Sequence, residues 1–134
     1  MKLTRILSAG VFGLALAISG NSAALAEADG NALVHSRELG GQVFMMNEVH
    51  MSLYFFANDE LNVSNCYGDC AVNWPPVILD ANAELGENYS LIERTDGTMQ
   101  AAYKGKPLYL FVGDSNIGDI NGDGVKGIWS LAKP

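Results

Sequence analysis

Past an apolar run near its start, the chain alternates short apolar stretches with polar, glycine-rich punctuation, a pattern of strands and turns. Residues 43–46 (Val-Phe-Met-Met) form one such stretch and residues 53–57 (Leu-Tyr-Phe-Phe-Ala) another. The intervening residues 49–52 read as a turn, so the two stretches are expected to pair as a hairpin. In the second stretch Tyr54 and Phe56 point one way and Leu53 and Phe55 the other. Both faces are apolar, as in a strand buried on both sides within a sandwich or barrel, or between a sheet and a covering layer. Trp74-Pro75-Pro76 forbids helix and favours an extended path. Residues 77–79 follow as a short edge strand and residues 80–88 as a polar connection. Residues 89–94 and 98–103 flank Thr95-Asp96-Gly97, a strong hairpin signal. Residues 104–107 turn into Leu108, and residues 127–131 make a last strand. Residues 27–40 are mixed and polar and read as an N-terminal arm. No stretch after residue 26 shows the 3.6-residue period of an amphipathic helix. The predicted fold class is all-β, a single compact domain of about seven short strands.

Two of these stretches match. Leu53-Tyr54-Phe55-Phe56-Ala57-Asn58-Asp59 returns 55 residues later as Leu108-Tyr109-Leu110-Phe111-Val112-Gly113-Asp114. Trp74 returns as Trp129 at the same offset. A Tyr, a Phe, an Asp and a Trp holding one spacing point to one supersecondary unit used twice, with repeat one at about residues 41–77 and repeat two at about 96–132. Two copies are too few for a solenoid, so they are expected to pack on each other within one domain, with Tyr54, Phe56, Tyr109, Phe111, Trp74 and Trp129 in its core.

The start of the chain changes the setting. Lys2 and Arg5 precede an uncharged, mostly apolar run at residues 6–18, and Ala24-Leu25-Ala26 offers a small-x-small cleavage site before Glu27. This is the pattern of a secretory signal peptide, removed to leave residues 27–134. No Cys follows the apolar run, so an exported protein without a lipid anchor and without a membrane span after cleavage is expected. Once Lys2 and Arg5 are gone from the eight basic residues, six face fifteen acidic ones, a net charge of −9. Such a surface disfavours nucleic acid and anionic lipid and suits cations or basic partners.

The motifs together resemble a known family, the bacterial "secreted repeat of unknown function", described as predicted lipoproteins with a Tyr-x-aromatic-x-x-Asp motif. Here that motif is Tyr54/Phe56/Asp59 and Tyr109/Phe111/Asp114. Cys66-Tyr67-Gly68-Asp69-Cys70, Trp74-Pro75-Pro76, residues 94–100, residues 103–109 and residues 118–124 extend the likeness over about residues 41–134. The chain departs from the family in lacking a lipobox Cys and in placing His50 where relatives usually have Gly. The resemblance implies no defined activity.

Three constellations offer chemistry. The two Tyr–Asp motifs would line a pseudo-symmetric ligand site or, more simply, fill the core, with Asp59 and Asp114 capping turns. Cys66 and Cys70 in an exported chain form a disulfide that pins the loop before Trp74. The alternative is a copper(I) site of two thiolates with His50 and one thioether of Met45, Met46 or Met51. Asp119, Asn121 and Asp123, followed by Gly124, match the first half of a calcium loop, with Asp114 nearby as a further carboxylate. Ser130 stands where such a loop needs its bidentate Glu, and a plain turn cluster is the alternative. Calcium, and less so copper, are thus the candidate cofactors. No nucleophile elbow, His-Glu-x-x-His or phosphate loop is present, and His35 and His50 stand apart in arm and turn. The expected function is a non-enzymatic envelope module that binds a protein or small ligand, with metal binding as the alternative.

Overall fold

The computed structural model describes residues 29–134; the expected signal peptide, residues 1–26, lies outside them. Strands β1 (Asp29–Gly30), β2 (Val34–Leu39) and β3 (Gln42–Asn47) form an antiparallel sheet. Most of the stretch read as a polar arm is therefore strand. Its turn has a clear cause. Leu39 pairs with Gln42 across Gly40 and Gly41, whose φ values are 62° and 88°. Two consecutive positive φ angles make a two-residue hairpin turn that glycine adopts without strain. The strand hides in the sequence because only Val34 and Ser36 of β2 are buried, while residues 37–39 are exposed.

The second apolar stretch supplies β4 (Tyr54–Phe56). It meets β3 only through a bridge of Met46 to Ser52 and the Leu53 N–H bond to the Met45 carbonyl, 3.0 Å. Its main partner is the last strand, β9 (Trp129–Leu131), so the expected local hairpin gives way to a long-range pair. A short helix, α1 (Asp69–Asn73), and a 3₁₀ turn (Val125–Gly127) precede the two tryptophans. Neither is long enough to leave a helical period in the sequence. In the second half, β6 (Tyr89–Glu93) and β7 (Met99–Tyr103) form the expected hairpin. Strand β5 (Ile78–Leu79) joins the other edge of β7, and β8 (Lys106–Pro107) returns along it. The fold is all-β with short strands, nine among the described residues.

The repeat becomes an approximate two-fold axis. Tyr54 and Tyr109 exchange backbone hydrogen bonds across it, Tyr54 N–H to the Tyr109 carbonyl at 2.8 Å and the reverse at 3.1 Å. Each half also holds a closed ring of three backbone bonds. Met45 donates to Ala132, Ala132 to Leu53 and Leu53 to Met45. In the other half Ala101 donates to Val77, Val77 to Leu108 and Leu108 to Ala101. The farther ends match as well: Ala57 donates to Ile128 and Val112 to Asn73. The final segment of repeat two thus completes repeat one, and residues 73–77 of repeat one complete repeat two.

Two apolar layers lie on either side of this shared centre. Leu53 and Leu108 belong to one, with Val34, Met45, Val77 and Ala101. Tyr54 and Tyr109 belong to the other, with Phe44, Met46, Trp74 and Trp129. The apolar character of both faces in the Leu-Tyr-x-Phe segments follows directly: Leu53, Tyr54, Leu108 and Tyr109 are all fully buried.

Candidate functional site

At the two-fold axis Trp74 and Trp129 stack with ring centroids 3.8 Å apart and planes within 2°. Phe111 stacks on the far face of Trp74 at 4.2 Å and Phe56 on the far face of Trp129 at 4.3 Å. The result is a four-ring column, Phe111–Trp74–Trp129–Phe56, in which each Trp is sandwiched by the other and by a Phe of the opposite repeat. Tyr54 meets Trp74 edge-on and Tyr109 meets Trp129 likewise, at 5.5 and 5.3 Å. Edge-to-face contacts of this kind set the negative ring face against a positive ring edge.

The tyrosine hydroxyls reach across the same axis. Tyr54 donates to Asp114 Oδ2 at 2.6 Å, and Tyr109 donates to Asp59 Oδ2 at 2.8 Å. Each motif tyrosine is therefore paired with the aspartate of the other copy. The second carboxylate oxygens hold the loops. Asp59 Oδ1 accepts the Asn65 N–H at 2.7 Å and Asp114 Oδ1 the Asn121 N–H at 2.9 Å. Asn65 returns its side-chain amide to the Asn58 carbonyl, and Asn121 does the same to Gly113. Burial pushes both phenol pKa values far up, and the Tyr54–Asp114 hydrogen bond adds to this. Burial also raises the Asp59 carboxyl, against the pull of its Asn65 and Tyr109 hydrogen bonds and of the Arg94 charge.

The two phenols differ in what they accept. Tyr54 takes the Gly122 N–H at 3.2 Å. A Cβ at Gly122 would lie 2.8 Å from the Trp74 ring, so glycine there is a packing requirement. Tyr109 instead lies 2.6 Å from Ser64 Oγ. The single phenolic proton is committed to Asp59, so Ser64 must be the donor. Ser64 in turn accepts from Arg94 Nη1 at 2.8 Å. Arg94, 5% exposed, also donates to Gln100 Oε1 and the Cys66 carbonyl, and its guanidinium covers the Tyr67 ring at 4.1 Å. This Arg94–Ser64–Tyr109–Asp59 relay ties the β6–β7 hairpin to the first repeat's loop. Arg94 opens the family-like stretch at residues 94–100, but its place in one copy alone gives no period or spacing from which this relay could be read.

Cys66 and Cys70 are joined in a disulfide, with Cα atoms 5.3 Å apart. A disulfide carries no thiolate, so copper binding by this pair with His50 is excluded while it is oxidised. His50 lies elsewhere, its ring 5.3 Å from that of His35. The methionines separate: Met45 falls in the leucine layer and Met46 in the tryptophan layer. The acidic loop is committed to its own backbone. Asp119 Oδ2 accepts the N–H groups of Ser115 and Asn116, which hold its carboxyl below the usual range. Asp123 Oδ1 accepts the Leu131 N–H. Asn121 does what Asn65 does in the other copy. Among the described residues no three His, Cys, Asp or Glu side chains are placed to hold a metal ion.

Beside the column lies a shallow groove of about 260 Å³ lined by Phe56, Trp74, Ile128 and Trp129, with Asp69 and Lys126 among its polar residues. Phe56 also walls a second pocket of about 320 Å³ that includes Phe55, Leu61, Asp59, Glu60 and Lys106. No helix among the described residues is long and apolar enough to cross a membrane.

No curated protein and no solved structure matches the chain. A family model described as "Secreted repeat of unknown function" matches residues 28–78 and again residues 90–133. Each match takes in one Leu-Tyr-x-Phe segment or its copy, its motif aspartate and one of the two stacked tryptophans. With two matches covering most of its length, the chain belongs to this family of secreted repeats.

Proposed function

We propose that this protein is a non-enzymatic binding module of the cell envelope, working outside the inner membrane without a lipid anchor. The observation that carries the reading is the pair of adjoining pockets that share Phe56. They present aromatic and aliphatic walls beside the stacked column, and among their charged lining residues Asp59, Glu60 and Asp69 outnumber Lys106 and Lys126. An exported chain with a net charge of −9 favours a basic partner, and electrostatic complementarity speeds encounter with one. The partner is a basic polypeptide segment that lays an apolar side chain against Trp129 and Ile128. The tyrosines support binding over catalysis. Their protons are committed to carboxylates and their pKa values are raised, which makes them poor bases and nucleophiles at neutral pH. Calcium at Asp119, Asn121 and Asp123 has less support, because these side chains are engaged with backbone groups.

Calorimetric titration with a lysine-rich amphipathic peptide, beside a glutamate-rich one of the same apolar residues, tests the reading. Binding of the basic peptide alone is expected, weakened by salt and by roughly tenfold in Ile128→Asp. Equal binding of both peptides, or of neither, would contradict it.

A further inference from the structure

His35 and His50 belong to neither apolar layer and line neither of the pockets proposed above. Their rings meet edge to face with centroids 5.3 Å apart. His35 Nδ1 sits 3.0 Å from the Asn31 carbonyl, so Nδ1 carries the proton and Nε2 keeps its lone pair. That Nε2 is buried and has no hydrogen-bond partner, and neither has the buried Nδ1 of His50. A buried polar nitrogen left without a partner is costly, and native structures usually offset that cost with a water or an ion. His50 is also held at a φ of 66°, a left-handed conformation uncommon for a residue with a side chain. Strain of this kind gathers at functional positions.

The spacing fits a metal. Two imidazoles bound to one ion at about 2.0–2.1 Å and a tetrahedral angle have ring centres roughly 5 Å apart. Met46 is the direct cross-strand partner of His35, so both side chains leave the same face of the β2–β3 hairpin. Met46 and His50 line one pocket of about 210 Å³, together with Arg37, Glu38, Leu39 and Ile117. The thioether is a soft donor that selects copper(I), and imidazole nitrogens suit copper as well. Arg37 adds a positive charge close by, which a monovalent ion tolerates better than a divalent one.

We propose that His35, His50 and the thioether of Met46 form a copper(I) site beside the β2–β3 hairpin. The site needs no cysteine and works with the Cys66–Cys70 disulfide intact.

The test is competition for copper(I) against a colorimetric chelator under ascorbate, with the disulfide verified by intact mass. One equivalent is expected to bind the native protein. Affinity should fall by roughly 100-fold in His35→Gln and in His50→Gly, and by less in Met46→Leu. His50→Gly guards against misreading a folding defect, since glycine accepts the φ of 66° and thermal stability should hold or rise. Failure of the native protein to bind copper(I), undiminished binding by His50→Gly, tighter binding of zinc than of copper(I), or binding only after disulfide reduction would each overturn the assignment.

Discussion

At the scale of single residues, the motif tyrosines matter through their hydroxyls as much as their rings. Tyr54→Phe leaves Asp114 Oδ2 and the Gly122 N–H without their partner; Tyr109→Phe does the same to Asp59 and Ser64. Each is expected to cost about 1–3 kcal/mol in urea unfolding, with the rings still packed. The raised phenol pKa values add a pH dependence of definite sign. The folded state holds the protons more tightly than the unfolded chain, whose tyrosines titrate near 10.0. The tyrosine contribution to stability is therefore whole below pH 10 and is lost as pH rises from there toward the folded values. Melting curves from pH 8 to 11 should show this loss, and the Tyr54→Phe/Tyr109→Phe double variant should reduce it to the part that Tyr89, raised likewise by burial, supplies. The identity of these residues was legible in the sequence as a repeated motif, and so were their burial and the turn-holding role of Asp59 and Asp114. Their crossed pairing was not, because spacing along the chain does not say which copy a hydroxyl meets. The relay role of Arg94 and the meeting of His35 with His50 stayed hidden for a related reason: each depends on partners that folding brings alongside.

At the scale of elements, the two loops between motif aspartate and tryptophan have equal length and different fastenings. Residues 59–74 carry a disulfide and α1; residues 114–129 carry the Asp119 and Asp123 bonds and a 3₁₀ turn. Both deliver a tryptophan to the axis. The calcium-like spelling of the second loop reflects this shared task, since Asn121 and Asn65 make matching bonds. Replacing Cys66 and Cys70 by Ser is expected to cost about 2 kcal/mol, the modest value of a short closed loop, without loss of the fold. Denaturation of oxidised protein and the double Ser variant measures it. The local β6–β7 hairpin was readable from its Asp-Gly turn, and the disulfide from export. The β2–β3 hairpin carried an equally good Gly40-Gly41 signal, masked by the polar residues on either side of it. The β4–β9 pair had no local signal at all, since its strands stand over seventy residues apart.

At the scale of the whole molecule, the repeats are interlocked and not merely adjacent. Each half's ring of backbone bonds uses a segment of the other copy, the tryptophan column alternates copies, and the Tyr–Asp pairs cross the axis. One cooperative unfolding transition is the consequence, because neither half keeps its core alone. The rigid column then serves as the wall of the Phe56 pockets on which the proposed binding rests. The interlocking is tested most directly by double-mutant cycles in urea on Tyr54→Phe with Asp114→Asn and with Asp59→Asn. Tyr54 should couple to Asp114 by at least about 1 kcal/mol and to Asp59, its own motif partner, by no more than about 0.5 kcal/mol. Stronger coupling of Tyr54 to Asp59 than to Asp114 would contradict the crossed pairing, and with it the account of how two repeats make one domain.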